Sequence, residues 1–321
     1  MCTAIRFTDA DGALYFGRNL DWSHSFGERV IITPTGYAPR SPFGAVTAIR
    51  HAVIGMGIVQ ENTPLYFDCA NDAGLAVAGL NFPGYTCYAA APEAGKTNVA
   101  AYEFPLWVTA GFASADEVEA ALAQCLIVDA PINERYPSSH LHWLIADAHR
   151  SLVVEQTASG LEVFANPFDV LANQPGFAWH AENLRNYLNL TPEVPGPVTW
   201  RSGELAVFGA GGGMRGLPGD YTSPSRFVRA AYLNAHYPTR ATEDENITRL
   251  VRTLGGVSMV DGAARMTDGS LERTVYTGGF SARTNTYVYA TYDDPAIRAV
   301  VLGDFDTAGT ELIVVQDRRT A

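Results

Sequence analysis

The apolar positions of this chain alternate with polar ones over many short segments and follow a helical period over a few others. Strands are predicted over residues 2–8, 13–19, 29–33, 52–58, 65–70, 75–82, 142–147, 152–156, 161–165, 285–292 and 299–302. Helices are predicted over residues 105–112, after Ser114, over 224–236 with Ser223 as N-cap, and over 245–254. Neighbouring strands separated by pairs of helices predict an α+β protein in which helices cover sheets.

The first two predicted strands flank the segment Asp9-Ala10-Asp11-Gly12, whose Asp-Gly pair is typical of a hairpin turn. A two-residue loop would place Cys2 opposite Asp21, and a four-residue loop would place it opposite Asn19. Both registers place the stretch from Arg18 through Asp21 beside Cys2, because directly opposed and diagonal neighbours touch across strands. The pattern therefore predicts a thiol, a guanidinium and a carboxylate in one place.

Composition indicates a globular protein with a large core, because 47% of the 321 residues are hydrophobic and 17% are charged. One large domain and two tightly joined halves both fit this length. No apolar window predicts a membrane span, and the N-terminus lacks the basic and apolar regions of a signal peptide, so we expect a cytoplasmic protein. The net charge of −12 argues against nucleic acid as a partner.

Four cysteines in a chain expected in the cytoplasm argue against a disulfide framework. Cys69 alternates with apolar residues, which predicts the core side of a strand, and Cys125 follows Val118 at helical spacing, which predicts a core position. Cys2 differs because removal of Met1 would give it both a thiol and a free α-amine. A base beside a nucleophile is the arrangement of N-terminal nucleophile amidases.

Two other motifs have a plain structural explanation. The spacing Gly211-x-Gly213-x-x-Gly216 matches a dinucleotide fingerprint, but the Leu-Pro that follows does not open a helix, so we predict a turn. His140-x-His142 lacks a third ligand at a telling spacing, which favours structural histidines over a metal site.

Three polar residues stay ambiguous by pattern alone. Asn81 and Asn173 each end an apolar run, where asparagine is usually a turn former, although amide donors also serve oxyanion holes. Arg226 lies in the first turn of a predicted helix, where a solvated arginine is the default interpretation.

Taken together, the chain resembles the bile salt hydrolases of the choloylglycine hydrolase family, which also contains penicillin V acylases. The resemblance covers nearly the whole chain in order. It rests on the segments MCTAIRF (1–7), YFGRNLDW (15–22), GLNFPG (79–84), HWLIAD (142–147), VVEQ (153–156), VLANQP (170–175), GLPGDYTSPSRFVR (216–229) and NTY (285–287).

The resemblance implies an αββα N-terminal nucleophile fold, with two stacked antiparallel sheets between helical layers. It implies a single domain over residues 1–321 with Met1 removed, assembly as a homotetramer, and no metal or cofactor. The implied reaction is hydrolysis of the amide bond of conjugated bile salts, with release of glycine or taurine. The catalytic positions of the family fall on Cys2, Arg18, Asp21, Asn81, Asn173 and Arg226.

A steroid is a rigid apolar body, so its pocket should be apolar. The candidate lining residues are Leu20, Trp22, Phe67 and Ile132, and the loops at 62–65 and after Asp129 are candidates for its mouth. Penicillin V acylases tend to carry tyrosine at position 81, so asparagine favours the bile-salt branch. A penicillin V acylase, an acyl-homoserine-lactone acylase and an inactive binder of steroid-like ligands remain the alternatives.

Overall fold

The structure, a computed structural model, describes residues 1–316, so the last five residues of the predicted domain lie outside it. The strands are β1 (Cys2–Thr8), β2 (Leu14–Trp22), β3 (Arg29–Thr33), β4 (Val53–Gln60), β5 (Thr63–Asn71), β6 (Ala76–Asn81), β7 (Thr97–Ala100), β8 (Cys125–Val128), β9 (Leu141–Ala146), β10 (Ser151–Thr157), β11 (Gly160–Ala165), β12 (Val170–Leu171), β13 (Val198–Trp200), β14 (Gly203–Leu205), β15 (Ala264–Arg265), β16 (Leu271–Ser281), β17 (Thr286–Thr291), β18 (Arg298–Val301) and β19 (Ile313–Val314). The helices are α1 (Phe104–Gly111), α2 (Ala115–Leu122), α3 (Phe177–Asn183), α4 (Ser223–His236) and α5 (Glu243–Gly255).

Two antiparallel sheets organise the described chain. Sheet I has the order β12-β1-β2-β16-β17-β18, with β15 paired to β16, and sheet II has the order β11-β10-β9-β6-β5-β4-β3-β19. Helices α4 and α5 pack on sheet I, α1 packs on sheet II, and the sheets meet where β1 and β2 contact β6. This is the predicted αββα architecture. None of the helices within residues 1–316 has the length and apolar character that crossing a membrane requires.

Two hydrophobic clusters fill the spaces between these layers. The larger one joins both sheets to α4 and α5, and Phe16, Leu80 and Phe227 are among its buried members. The second lies between sheet II and α1, where Phe104 packs 4.4 Å from the ring of Trp143. The helices thus bury one apolar face each against a sheet, as layered folds require.

The hairpin of β1 and β2 forms as predicted, but its register is neither of the two expected. Cys2 lies opposite Leu20, because the strands close through a five-residue loop, 9–13. The carboxylate of Asp9 accepts hydrogen bonds from the amides of Asp11 and Ala13, both at 2.9 Å, and so stabilises this longer loop.

Three other details of the sequence interpretation need correction. The eleven-residue strand β16 was not predicted, although it lies at the centre of sheet I. Cys125 is buried as expected, but it begins strand β8 rather than lying on a helix. Helix α4 begins at Ser223 with Thr222 as N-cap, and the Ser223 hydroxyl bonds the amide of Asn173 instead.

The missed strand contains glycine because α5 approaches sheet I closely there. Gly279 lies opposite Gly17, and a Cβ at Gly279 would stand 2.3 Å from a methyl carbon of Leu250 on α5. Glycine is depleted in strands. Its presence here reflects packing space, which residue preferences along the chain do not reveal.

We expect Gly279→Ala to lower the free energy of unfolding by about 1–3 kcal/mol, because the added methyl group overpacks this contact. Urea denaturation would measure the change. The matched control is Gly255→Ala on α5, where an added Cβ meets nothing within 4 Å and alanine favours the helix. Equal stability of Gly279→Ala and the parent chain would contradict this account of the packing.

Candidate active site

Cys2 lies at the start of β1, with its side chain on the face of sheet I that meets sheet II. It is 2% exposed, and its Sγ accepts a hydrogen bond from Nη2 of Arg18 at 2.6 Å. Arg18 lies diagonally across the ladder, because Ala4 is its direct partner. The register thus brings a thiol and a guanidinium into contact on one buried face.

Backbone carbonyls hold the guanidinium of Arg18 in place. Its Nη1 donates to the carbonyl of Gly79 at 2.8 Å and to that of Phe67 at 3.0 Å. Phe67 is the extra residue of a bulge in β5, since Met56 pairs with Asp68 and the next ladder pair is Gly57 with Tyr66. A bulge frees a carbonyl from its ladder and redirects it, and here that carbonyl bonds the buried arginine.

A second group of hydrogen bonds holds the backbone of Cys2. Its amide nitrogen donates to Oδ1 of Asn173 at 2.7 Å, and Nδ2 of Asn173 donates to the carbonyl of Asn81 at 2.6 Å. Asn173 is 1% exposed, whereas Asn81 is half-buried at the end of β6. The predicted residues Cys2, Asn81 and Asn173 therefore form one connected chain of contacts.

Arg226 on α4 is fully buried, so the solvated interpretation drawn from its helix position is wrong. Its Nη2 donates to Oδ1 of Asn173 at 2.7 Å, and its Nη1 donates to Oγ1 of Thr3 at 2.6 Å and to the carbonyl of Cys2. Burial lowers the pKa of Arg226, and the nearby Asp21 and Cys2 oppose that shift. Arg226 thus ties α4 to the first two residues of β1.

Asp21 lies on the other face of sheet I, toward the helices. Its Oδ1 accepts a hydrogen bond from Thr274 at 2.6 Å, and its Oδ2 lies 3.9 Å from Nη1 of Arg226. This Oδ2 is buried and has no hydrogen-bond partner among residues 1–316. The main chain of Asp21 also pairs with Met1, whose amine donates to the Asp21 carbonyl.

Two buried histidines brace the segment that carries Asn173. His142 bonds Oε1 of Glu155 through Nδ1 at 3.0 Å and the carbonyl of Ala172 through Nε2 at 2.8 Å. His180 bonds the carbonyl of Asn173 through Nε2 at 2.9 Å. Burial lowers the pKa of His180 to about 4, so its imidazole is neutral at neutral pH.

Three of the four predicted pocket residues lie together. Leu20 faces Cys2 across the ladder, and Trp22 and Phe67 each place a ring within 6 Å of Phe26. Ile132 lies half-buried on the loop after β8. An apolar surface therefore begins directly beside the thiol.

The predicted mouth loop at 62–65 is shorter than expected, because β5 already begins at Thr63. Its turn consists of Glu61 and Asn62, both with positive φ. The loop after Asp129 does meet this turn, since Nδ2 of Asn133 donates to Glu61 at 2.9 Å.

Sequence reasoning missed several residues that contact this site. Thr274 belongs to the unpredicted strand β16, and Thr3 is a strand residue without a distinguishing pattern. Glu155 had no assigned role, yet its Oε1 also accepts the amide of Phe177 at 2.9 Å. Only contacts between residues far apart in the chain identify Thr274, Thr3 and Glu155 as neighbours of the site.

Comparison with known proteins decides the family. Residues 2–315 match the linear amide C-N hydrolases of the choloylglycine hydrolase family. The chain belongs to this family. The predicted enzyme class, a hydrolase of linear amide C–N bonds, is therefore confirmed.

Curated relatives match over nearly their full length. The chain is 53% identical over 316 residues to a bile salt hydrolase/transferase of Bifidobacterium longum, with 98% of this chain and 99% of the relative covered. It is 42% identical over 314 residues to a conjugated bile acid hydrolase of Lactobacillus acidophilus, with 98% and 99% covered.

Solved structures agree with the fold. A variant of the conjugated bile acid hydrolase from Clostridium perfringens superimposes with a TM-score of 0.92 at 35% identity, covering 99% of this chain and 98% of that chain. A penicillin V acylase from Agrobacterium tumefaciens superimposes with a TM-score of 0.76 at 17% identity, covering 97% and 90%. The second likeness shows the fold alone.

The buried His180 makes stability depend on pH. The unfolded chain binds a proton at this residue below about pH 6.5, whereas the folded chain binds it only near pH 4. The free energy of unfolding therefore falls as pH falls through this window, on the order of 2 kcal/mol between pH 7 and pH 5.

Replacing His180 with glutamine should remove this contribution, so the loss of stability between the two pH values should shrink by that amount. Urea denaturation at pH 7 and pH 5 measures it. The control is His24→Gln, an exposed histidine. If His180→Gln loses as much stability on acidification as the parent chain, this pH assignment is wrong.

Proposed function

We propose that this chain hydrolyses the amide bond of glycine- and taurine-conjugated bile salts, with Cys2 as its nucleophile after Met1 is removed. The observation that carries the proposal is the buried contact between Nη2 of Arg18 and Sγ of Cys2 at 2.6 Å. The bile salt hydrolase and conjugated bile acid hydrolase names of relatives 53% and 42% identical support the substrate class.

In the first step the free α-amine of Cys2 accepts the thiol proton, and the thiolate attacks the amide carbonyl carbon. Arg18 stabilises the thiolate through its positive charge. Asn173 already accepts a hydrogen bond from this nitrogen at 2.7 Å, which keeps the amine beside its own thiol. Asp21, whose Oδ2 is buried without a partner among the described residues, accepts a further bond from the ammonium.

The attack places negative charge on the former carbonyl oxygen. The side-chain amide of Asn81 donates to this oxyanion, and such a donor typically contributes about 10²–10³ in rate. Arg226 keeps Asn173 and the Cys2 backbone in register through its hydrogen bonds to both. The ammonium then passes its proton to the leaving nitrogen, glycine or taurine departs, and a thioester remains on Cys2.

Water completes the cycle. The α-amine removes a proton from a water molecule, which attacks the thioester carbonyl. The acyl–sulfur bond breaks, the free bile acid leaves, and the thiol is restored. Leu20, Trp22 and Phe67 are the proposed lining of the steroid pocket beside this centre, because a steroid requires apolar contacts, and Ile132 on the loop after β8 is a further proposed lining residue.

Cys2→Ser should fold normally and lose roughly 10³-fold or more of its turnover, because a hydroxyl is far harder to deprotonate than a thiol. Release of glycine and taurine from conjugated bile salts measures the activity. The matched control is Cys87→Ser, which removes an exposed thiol outside the site and should keep full activity. Retained activity in Cys2→Ser would contradict the nucleophile assignment.

Two further arms sharpen this experiment. A chain with an uncleaved N-terminal extension before Cys2 should be as inactive as Cys2→Ser, because its amine is no longer free. Penicillin V, run in parallel, separates the substrate classes. Faster cleavage of penicillin V than of bile salts would keep the mechanism and replace the proposed substrate.

We also propose that residues 1–321 form a single domain that assembles as a cytoplasmic homotetramer. The four cysteines are all unpaired, which suits a reducing compartment. The segment over residues 188–208, which exposes six apolar side chains, supports the assembly. It carries the β13–β14 hairpin, and its exposed apolar residues are Leu188, Val194, Val198, Trp200, Leu205 and Phe208. An exposed apolar patch of this kind typically marks an interface.

Substituting Trp200→Glu and Phe208→Glu together should therefore yield smaller species by light scattering coupled to gel filtration. Val260→Glu, an exposed apolar position outside the segment, is the control and should leave the tetramer intact. A tetramer that survives the double substitution would exclude this segment as the interface.

A further inference from the structure

A buried carboxylate that the mechanism above does not use lies behind Arg18. Asp68 on β5 is 2% exposed, and its Oδ1 accepts the hydroxyl of Tyr276 at 2.5 Å. Its Oδ2 accepts the hydroxyl of Tyr287 at 2.6 Å. Because Asp68 belongs to sheet II and both tyrosines to sheet I, these bonds join the two sheets.

The arrangement fits an ionised carboxylate. Each oxygen of Asp68 accepts a hydrogen bond from one phenol hydroxyl, as an ionised carboxylate does, and both tyrosines must stay protonated to donate. Burial raises the pKa of Tyr276 and of Tyr287 well above the ordinary value, so both remain donors. Burial also raises the pKa of Asp68, but Arg18 and the two tyrosines oppose this shift.

Asp68 is also the neighbour of the bulged residue that bonds Arg18. The carbonyl oxygen of Phe67 accepts a hydrogen bond from Nη1 of Arg18, so Asp68 directly follows a residue that contacts Arg18. Among residues 1–316 Arg18 forms no ion pair, and the charge of Asp68 acts on Arg18 from beyond ion-pair distance. At low dielectric such a charge still matters, because buried charges are poorly screened.

A glycine on β16 leaves space for the cluster of Asp68, Tyr276 and Tyr287. Gly278 pairs with Arg18 across β16 and β2, and a Cβ there would stand 2.4 Å from the hydroxyl oxygen of Tyr287. Tyr287 therefore reaches Asp68 across Gly278, which is the cross-strand partner of Arg18.

We propose that Asp68 is a positioning residue that supplies the countercharge of Arg18 and thereby limits how strongly Arg18 stabilises the Cys2 thiolate. The proposal rests on the nucleophile role proposed for Cys2. With Asp68 ionised, its charge and that of Arg18 sum to zero, and ionising the thiol adds an uncompensated negative charge. With Asp68 neutral, the thiolate and Arg18 would compensate each other fully.

Moderate stabilisation of the thiolate serves the reaction. A thiolate that is stabilised too strongly is a weaker nucleophile and a poorer partner for proton exchange with the amine. Arg226 bonds the carbonyl of Cys2, the charges of Asp21 and Glu272 act on Arg226, and Glu28 acts on Tyr276. A substitution of Asp68 leaves all four in place.

The test is the pH dependence of Cys2 alkylation by iodoacetamide in Asp68→Asn, which keeps the shape and removes the charge. All proteins carry Cys87→Ser so that this exposed thiol does not react. We expect the midpoint pH of the alkylation rate to fall by about one unit, a tenfold change in the thiol equilibrium. The acid limb of kcat/KM should move in the same direction.

Glu103→Gln is the matched control. Glu103 is also a carboxylate 2% exposed, and its Oε1 accepts the amide of Ala100 near α1. It should leave the alkylation midpoint unchanged. An unchanged or higher midpoint in Asp68→Asn would overturn the proposal.

Removing one partner of a buried charge pair can prevent folding. If Asp68→Asn does not fold, Arg18→Met combined with Asp68→Asn removes both charges and should recover a cooperative thermal transition. Failure to recover it would count against the countercharge role. Alkylation of Cys2 needs no turnover, so the alkylation midpoint is independent of the proposed substrate and of the hydrolysis mechanism.

Discussion

Burial of the Arg18 guanidinium between the two sheets is the constraint on which the site depends. A buried arginine needs acceptors for its donors and a negative charge nearby. The carbonyls of Gly79, Phe67 and Asn19 and the sulfur of Cys2 are its acceptors. The bulge in β5 exists at the point where one of these carbonyls must turn inward. The stacking of the sheets and the chemistry of the thiol are therefore linked through one side chain.

The candidate site occupies both faces of sheet I. The thiol and Arg18 lie toward sheet II, whereas Asp21 and Arg226 lie toward the helices. Asn173 connects the two faces, because its carboxamide oxygen accepts both the amide of Cys2 and the guanidinium of Arg226. Two histidines and the hydroxyl of Ser223 hold its backbone segment, so the connection depends on α4 and sheet II together.

The sheet architecture is shared with proteins of low sequence identity. The penicillin V acylase superimposes over almost the whole chain at 17% identity, so the fold does not select a substrate. Under the proposed function, the apolar surface beside the thiol selects the substrate. In this chain that surface begins at Leu20 and continues through the rings of Trp22, Phe26 and Phe67.

Local pattern determined much of the secondary structure: β3 has the predicted bounds, and most other predicted elements lie within a few residues of their expected ends. The first hairpin also follows from its turn. Pattern brought Cys2, Arg18 and Asp21 together, and the family resemblance added Asn81, Asn173 and Arg226 to the candidate catalytic residues. By contrast, the Asp9 carboxylate stabilises the loop that sets the hairpin register, and the close approach of α5 requires glycine at position 279 of β16, where residue preference does not indicate a strand.

The amino-acid sequence by itself determined where many of the strands and helices form and which residue can offer a thiol beside an amine, because these follow from period, turn residues and position in the chain. Only the tertiary structure decided that Arg226 is buried, that Thr274 bonds Asp21, and that Asp68 stands behind Arg18. These contacts join residues as much as 253 positions apart. Their energies arise from exclusion of water between packed layers, which no local pattern encodes.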